Sequence, residues 1–188
     1  VGTDRSPKTL TTYYEQTQRI GHQLKDYCTS LLDSARNYHK QQAQPTMNDP
    51  NGIVQQILER FEPLLSEKNF DVQFEQLSPT NLPLAVVSQV FQNLISNSIR
   101  YAGDQTAPVL RIATETNAQH AKAFWVIEDN GPGIAEAQLV SLLTNPSTSS
   151  KGHGIGLIQV KSMLSKFGAN ISVMRSPLGG ARFEIHLE

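Results

Sequence analysis

A chain of 188 residues is about one domain with room for a helical extension. Its 16 basic and 17 acidic side chains, evenly spread, leave a net charge of -1 and no field that would gather nucleic acid or an anionic membrane, so charge-driven chemistry must be local. Cys28 is the only cysteine, which excludes a disulfide framework and a cysteine-based metal cluster and makes a reducing, cytoplasmic setting the expectation.

From Pro7 to Pro45 there is no proline and one glycine, Gly21, and Tyr13, Ile20, Leu24, Tyr27, Leu31, Ala35 and Tyr38 recur in steps of three and four. That spacing predicts one long helix with a narrow apolar seam, packed either on its own domain or on a second copy. The stretch QQAQPTMNDPNG then marks a domain boundary, giving a helical segment over 1–45 and a second domain over 46–188. Ile53 to Lys68 reads as a helix with Pro63 as a place for a kink. DVQFEQL, with Val72, Phe74 and Leu77, reads as a strand, and Leu84 to Ala102 as a helix. VLRIATET and AKAFWVIED are β-type runs that fit an adjacent antiparallel pair. Ala135 to Ser150 begins as a short helix and ends in the polar TNPSTSS. Leu157, Val160, Leu164 and Phe167 form a helical stripe stopped by Gly168, and ISVMRSPLGGARFEIHLE is a hairpin with Phe183, Ile185 and Leu187 on one face. Helices and mostly antiparallel strands in this order predict an α+β, two-layer sandwich with the helices on one side of the sheet. No apolar run approaches the roughly 20 residues of a spanning helix, and the N-terminus lacks signal-peptide regions. The chain therefore reads as soluble with no direct membrane contact, though it could be the cytoplasmic portion of a membrane-anchored protein.

Within Leu84 to Ala102, residues Gln89, Asn93, Asn97 and Arg100 fall in an arc of roughly 80°, while Val87, Val90, Phe91, Leu94 and Tyr101 form the expected core side. A solvated face is the plain explanation. Asparagine is a poor helix former, however, and a merely wet face would normally carry Glu, Lys or Gln. A neutral amide oxygen is a hard ligand suited to Mg²⁺, which keeps few protein ligands and favours phosphate oxygens, and Arg100 one turn on could hold those phosphates. EDNGPGI leaves a strand and turns sharply at Gly131 and Gly133, presenting Asp129 where a buried carboxylate can accept a hydrogen bond from an exocyclic amine such as that of adenine; guanine would offer a carbonyl there. SKGHGIGLIQVKSM sets Gly152, Gly154 and Gly156 before a helix, so backbone N–H groups can meet phosphate, although the same glycines could serve as a hinge. The Walker loop is excluded, because no Gly-Lys-Ser/Thr closes the segment.

In this order and spacing the three segments resemble the ATP-binding fold shared by gyrase, heat-shock chaperones, histidine kinases and MutL (GHKL, the Bergerat fold). QVFQNLISNSIRYA resembles the asparagine box of histidine kinases, DNGPGI their first glycine box, GHGIGL their second, and GGARF the last glycine-containing segment. The resemblance runs from about Asn48 to Glu188. It implies ATP and Mg²⁺ as cofactors, with Asn97 as metal ligand, Asn93 beside it and Arg100 on phosphate. It further implies Tyr101 against the adenine, Asp129 as the adenine-reading carboxylate, and Gly131, Gly133 and Ile134 as its surroundings. Lys151, Gly152, Gly154, Gly156 and Leu157 would lie at the lid base around the phosphates, though Lys151 also reads as an ordinary solvated loop lysine. Chaperones and topoisomerases of this family have a water-activating Glu one turn before the metal-binding Asn; here that position is Asn93, and an amide cannot act as a general base.

The resemblance therefore implies the catalytic core of a sensor histidine kinase, passing the γ-phosphoryl group to a histidine for relay to a response regulator receiver domain. A homodimer through the N-terminal helix, and no nucleic-acid partner, go with it. His22 in HQLKDY faintly resembles the acceptor box, but only about 23 residues separate it from Pro45, too few for a helix, a turn and a second helix. Tyr13 to Lys40 thus reads as the second helix of a dimerisation hairpin, His22 and His39 as surface residues, and the acceptor as upstream. The lid departs from the family in having Leu142 and Leu143 where a phenylalanine is common. Two other readings stay open: a nucleotide-switched regulatory module, either a degenerate kinase or of anti-sigma type, and a GHKL-type ATPase.

Overall fold

The computed structural model describes residues 47–102, 107–117, 122–134 and 155–187. The chain divides into two units, Val1–Gln44 and Pro45–Glu188, and every described residue lies in the second. The predicted N-terminal helix with His22, Cys28 and His39, the segment from Ala135 with Leu142 and Leu143, and Lys151, Gly152 and Gly154 lie outside the described residues.

Helix α1 (Asn51–Glu67) carries Pro63 in its interior and buries Val54, Ile57 and Leu65. It begins two residues before the predicted start, because the Asn51 side chain clasps the main chain of Leu77, accepting from its N–H at 2.7 Å and donating to its carbonyl at 3.0 Å. Its end is a left-handed cap: Asn69 has φ +55°, and the N–H groups of Asn69 and Phe70 donate to the carbonyls of Ser66 and Leu65 at 3.0 and 2.9 Å. Strand β1 (Asp71–Phe74) follows. The predicted strand reached Leu77, but that residue has left the sheet and is buried where Asn51 holds it.

Helix α2 (Leu84–Tyr101) is the centre of the helical layer. Val87, Val90, Phe91 and Leu94 face the core as expected, and the buried arc also takes Val86, Ile95, Ser98 and Ile99. Tyr101 corrects the expectation, since 40% of it is exposed. Ile99 before it and Ala102 after it are both buried. Arg100 in the last turn and Lys68 Nζ, which donates to the Ile99 carbonyl at 2.8 Å, both set positive charge at the negative end of this helix.

Strands β2 (Val109–Thr116) and β3 (Ala123–Asp129) form the predicted antiparallel pair, with Ile112 opposite Ile127. Helix α3 (Ile155–Ser165) buries Leu157, Val160 and Leu164. Phe167 does not continue the stripe: it lies beyond the helix and is 40% exposed. Gly168, at φ +74°, turns the chain there, and its N–H and that of Ala169 donate to Ser165 and Leu164. Strands β4 (Asn170–Arg175) and β5 (Ala181–His186) make the predicted hairpin, Val173 opposite Phe183 and Ile171 opposite Ile185.

The five strands are ordered β1-β2-β3-β5-β4, with β1 and β2 parallel and the other neighbours antiparallel. This is the expected α+β sandwich. Alternate residues Leu110, Ile112, Trp125, Ile127, Phe183 and Ile185 join the three helices in one hydrophobic core. Each such side chain, fully buried, contributes about 1.5–3 kcal/mol. Trp125 packs its ring 5.6 Å from that of Phe91 and donates Nε1–H to Ser78 at 3.1 Å, so its polar atom is satisfied within the core layer.

Candidate functional site

Strand alternation puts Asp129 on the face of β3 that carries Trp125 and Ile127, directly beneath α2. Only 8% of it is exposed. Its Oδ1 accepts from the main-chain N–H groups of Gly131 and Ala181 at 3.0 and 3.1 Å, and its Oδ2 accepts from Ser98 Oγ at 3.0 Å. A carboxylate offers about four lone-pair positions, so three donors leave one on Oδ2. Four segments meet at this carboxylate: the end of β3, the turn after it, α2 and the start of β5.

The glycines of the turn are explained by the protein's own main chain. A Cβ on Gly131 would stand 3.1 Å from the Tyr101 carbonyl and 3.2 Å from Asp129 Oδ1. Gly133 has φ +76° and faces the Gly180 carbonyl, where a Cβ would lie at 3.2 Å. Ile134, half-buried, packs against the hydrophobic core. Asn130 fixes the same turn from the other side, accepting from Val109 N–H at 2.7 Å and donating to the Ala107 carbonyl at 2.8 Å.

Along the open side of α2, Gln89, Asn93 and Asn97 are half-buried and Arg100 is exposed, so the amides share the predicted strip. Asn93 donates Nδ2–H to the Gln89 carbonyl at 3.0 Å, which fixes its amide plane and directs Oδ1 at α3. There Gly156 lies so close that a Cβ would stand 3.2 Å from Asn93 Oδ1. The helix start behind the second glycine segment thus abuts the amide strip. Asn97 makes no side-chain hydrogen bond among the described residues. Tyr101 has the Arg100 guanidinium over its ring at 5.9 Å. Leu157 is buried, so it anchors α3 and offers no side chain outward.

Two contacts at this junction were not legible in the sequence, although Gly180 lies in the GGARF segment singled out there. Ser98 lies four residues after Leu94 on the buried arc, and a hydroxyl at such a position requires a partner, which was the available signal. Gly180 immediately precedes β5, beside the end of its antiparallel neighbour β3: its N–H donates to the Asp129 carbonyl at 3.1 Å, and a Cβ would overlap Asp129 Oδ1 and main-chain O.

The opposite face of the sheet carries a closed ring of charges. Arg111 bonds Glu115 and Glu128 at 2.9 and 2.8 Å, and Arg182 bonds the same two at 2.6 and 3.3 Å. Ser176 Oγ donates to Glu128 at 2.9 Å. Hydrogen bonds donated to Glu115, foremost, and to Glu128 raise the Arg111 pKa above its ordinary value. Burial works against the Arg182 charge, but its bonds to Glu115 and Glu184 outweigh that and the net shift is upward. The Arg182 hydrogen bond, foremost, holds the Glu115 carboxyl below the usual carboxylate range. With every charge partnered, this face can brace the sheet beneath the carboxylate junction.

Residues 84–188 match the family described as histidine kinase-, DNA gyrase B- and HSP90-like ATPase. Among curated proteins, the chain is 28% identical over 177 residues to cyanobacterial phytochrome B of Nostoc sp., covering 90% of this chain and 23% of that protein. It is 30% identical over 109 residues to the sensor protein RstB of Escherichia coli, covering 54% of this chain and 24% of that one. The chain thus spans less than a quarter of the length of these relatives. The catalytic domain of histidine kinase ThkA has the same fold, with a TM-score of 0.63 at 20% identity over 77% of this chain and 95% of that one.

Proposed function

The chain belongs to the family of histidine kinase-, DNA gyrase B- and HSP90-like ATPases, and from that premise we propose that it is the ATP-binding catalytic core of a two-component sensor histidine kinase. The observation that carries the reading is the buried Asp129 carboxylate, held by three donors with one acceptor position left, beneath a helix whose open side carries half-buried amides. A position that only accepts fits the exocyclic amine of adenine. Asn97 then offers a neutral amide oxygen to a cation on the phosphate chain. A single amide ligand suits an ion held mostly by phosphate and water, as Mg²⁺ prefers. When bound, Mg²⁺ supplies charge neutralisation for the transferring phosphoryl group.

The chain's own residues divide the remaining work. Asp129 orients the base, with Gly131 and Gly133 letting the turn close behind it and Ile134 walling it. Tyr101 and Arg100, stacked on each other, flank the base and meet phosphate. Lys151, Gly152, Gly154 and Gly156 cradle the phosphates from the lid side. Asn93 has its Nδ2–H committed to Gln89 and no proton-accepting base to offer, so water is not activated and the phosphoryl group is kept for a histidine acceptor. The acceptor stands on a dimerisation helix, and the phosphoryl group passes on to a receiver domain.

Calorimetric titration with ATP, with and without Mg²⁺, tests the reading. Asn97→Ala is expected to abolish the Mg²⁺-dependent part of binding, and an unchanged titration overturns the metal assignment. Supplying a histidine-bearing helical hairpin with labelled ATP separates the readings further: transfer to it supports the kinase. Binding without transfer favours the nucleotide-switched module, and steady hydrolysis without any acceptor favours the ATPase.

A further inference from the structure

Ser98 is 2% exposed and lies on the same helix as the amide strip, yet it faces the opposite way, onto Asp129. Its neighbours along the buried arc, Leu94, Ile95 and Ile99, are aliphatic, and its hydroxyl bonds the Asp129 carboxylate. An ionised carboxylate can only accept, so the serine proton is committed to Oδ2 at 3.0 Å. The other oxygen is already turned toward the Gly131 and Ala181 N–H groups. The carboxylate plane is therefore pinned at both ends.

We propose that Ser98 is a specificity-determining positioning residue: by binding Asp129 Oδ2 it fixes the carboxylate and makes the Ser98–Asp129 pair accept hydrogen bonds without donating any, so that a 6-aminopurine is chosen over a 6-oxopurine. This rests on the nucleotide-binding reading above. Without the hydroxyl, Oδ2 is held only through its partner oxygen and can swing from the amine. Were the serine proton not committed, the hydroxyl could turn it toward a 6-oxo group and admit the wrong base. A donor facing a donor or an acceptor facing an acceptor at a buried contact leaves polar groups unpaired, which is where strong discrimination arises.

The experiment titrates the 188-residue chain with Mg²⁺-ATP and Mg²⁺-ITP, which share the triphosphate and differ at the 6-position and the N1 proton of the base. Ser98→Thr and Ser98→Val have matched shape, so any effect of added volume is common to both and only the hydroxyl differs. The expected result is an ATP:ITP affinity ratio in Ser98→Thr within about twofold of the parent. In Ser98→Val it falls about tenfold, the loss of one hydrogen bond to a charged group, mostly through weaker ATP binding. Ser98→Ala, which removes the hydroxyl and adds no volume, gives the same fall and stands in if Ser98→Val does not fold. Equal ratios in the Thr and hydroxyl-free forms, with the parent still selecting ATP, overturn this inference and leave the function standing. A parent that binds neither nucleotide overturns both.

Discussion

Gly180 owes its identity to the close approach of two main chains: the residue before β5 lies so near the end of β3 that a side chain would overlap Asp129 itself. Gly180→Ala is therefore expected to cost about 2–3 kcal/mol of stability, the scale of overpacking at a rigid site, read as a lowered urea midpoint. Because what it displaces is the Asp129 carboxylate, ATP affinity should fall beyond what unfolding explains. Asp129→Asn separates the two effects. It keeps an oxygen for the Gly131 and Ala181 N–H groups but turns an NH₂ toward Ser98 and the base, so urea unfolding should move by only about 1 kcal/mol while ATP binding weakens tenfold or more. The sequence displayed Asp129 and the two glycines of its turn. It did not display Gly180's role, because the contact joins residues 51 positions apart and no local pattern encodes it.

Between elements, the contact at Gly156 and Asn93 decides how closely the start of α3 approaches the amide strip of α2. A methyl group on Gly156 would press on Asn93 Oδ1 at 3.2 Å, and the tethered amide cannot turn away without releasing the Gln89 carbonyl. Gly156→Ala should thus be less harmful in an Asn93→Ala background, with a coupling of about 0.5 kcal/mol or more in a double-mutant cycle of urea unfolding. The helix ends show how much local chemistry can specify. Gly168 announced the end of α3 in the sequence, and the left-handed cap is there. Asn69 performs the same task for α1 at φ +55°, and the sequence hid it because asparagine tolerates this conformation less well than glycine. Asn69→Gly should stabilise the fold by about 0.5 kcal/mol, read as a raised thermal midpoint. Tyr101 went the other way: periodicity placed it with the core residues, but periodicity gives the direction of a side chain and not whether anything packs against it there, and Tyr101 is 40% exposed.

Across the whole described unit, the charge ring on the far side of the sheet makes stability depend on pH. Glu115 is held below its ordinary value, so below about pH 4.3 the unfolded chain takes up its proton first and stability falls as pH falls. Above that range the contribution is fully present. The urea midpoint is expected to be level from neutral pH down to about pH 5 and to drop below it. Arg182→Met, which deletes the foremost cause of the Glu115 shift and strips a partner from buried Glu128, should lower stability at neutral pH by about 2–4 kcal/mol and flatten the acid limb. None of this ring was anticipated, because its members come from three strands and meet only when register sets Arg111 opposite Glu128 and Glu128 opposite Arg182. The sequence by itself determined what short-range periodicity and residue chemistry carry: the helical and strand character of nearly every described element, the two-layer class, the amide strip and the carboxylate at a strand end. Only the tertiary structure decided which groups close on that carboxylate and which glycines are fixed by closely approaching backbones, since those contacts depend on distances between segments that no local spacing records.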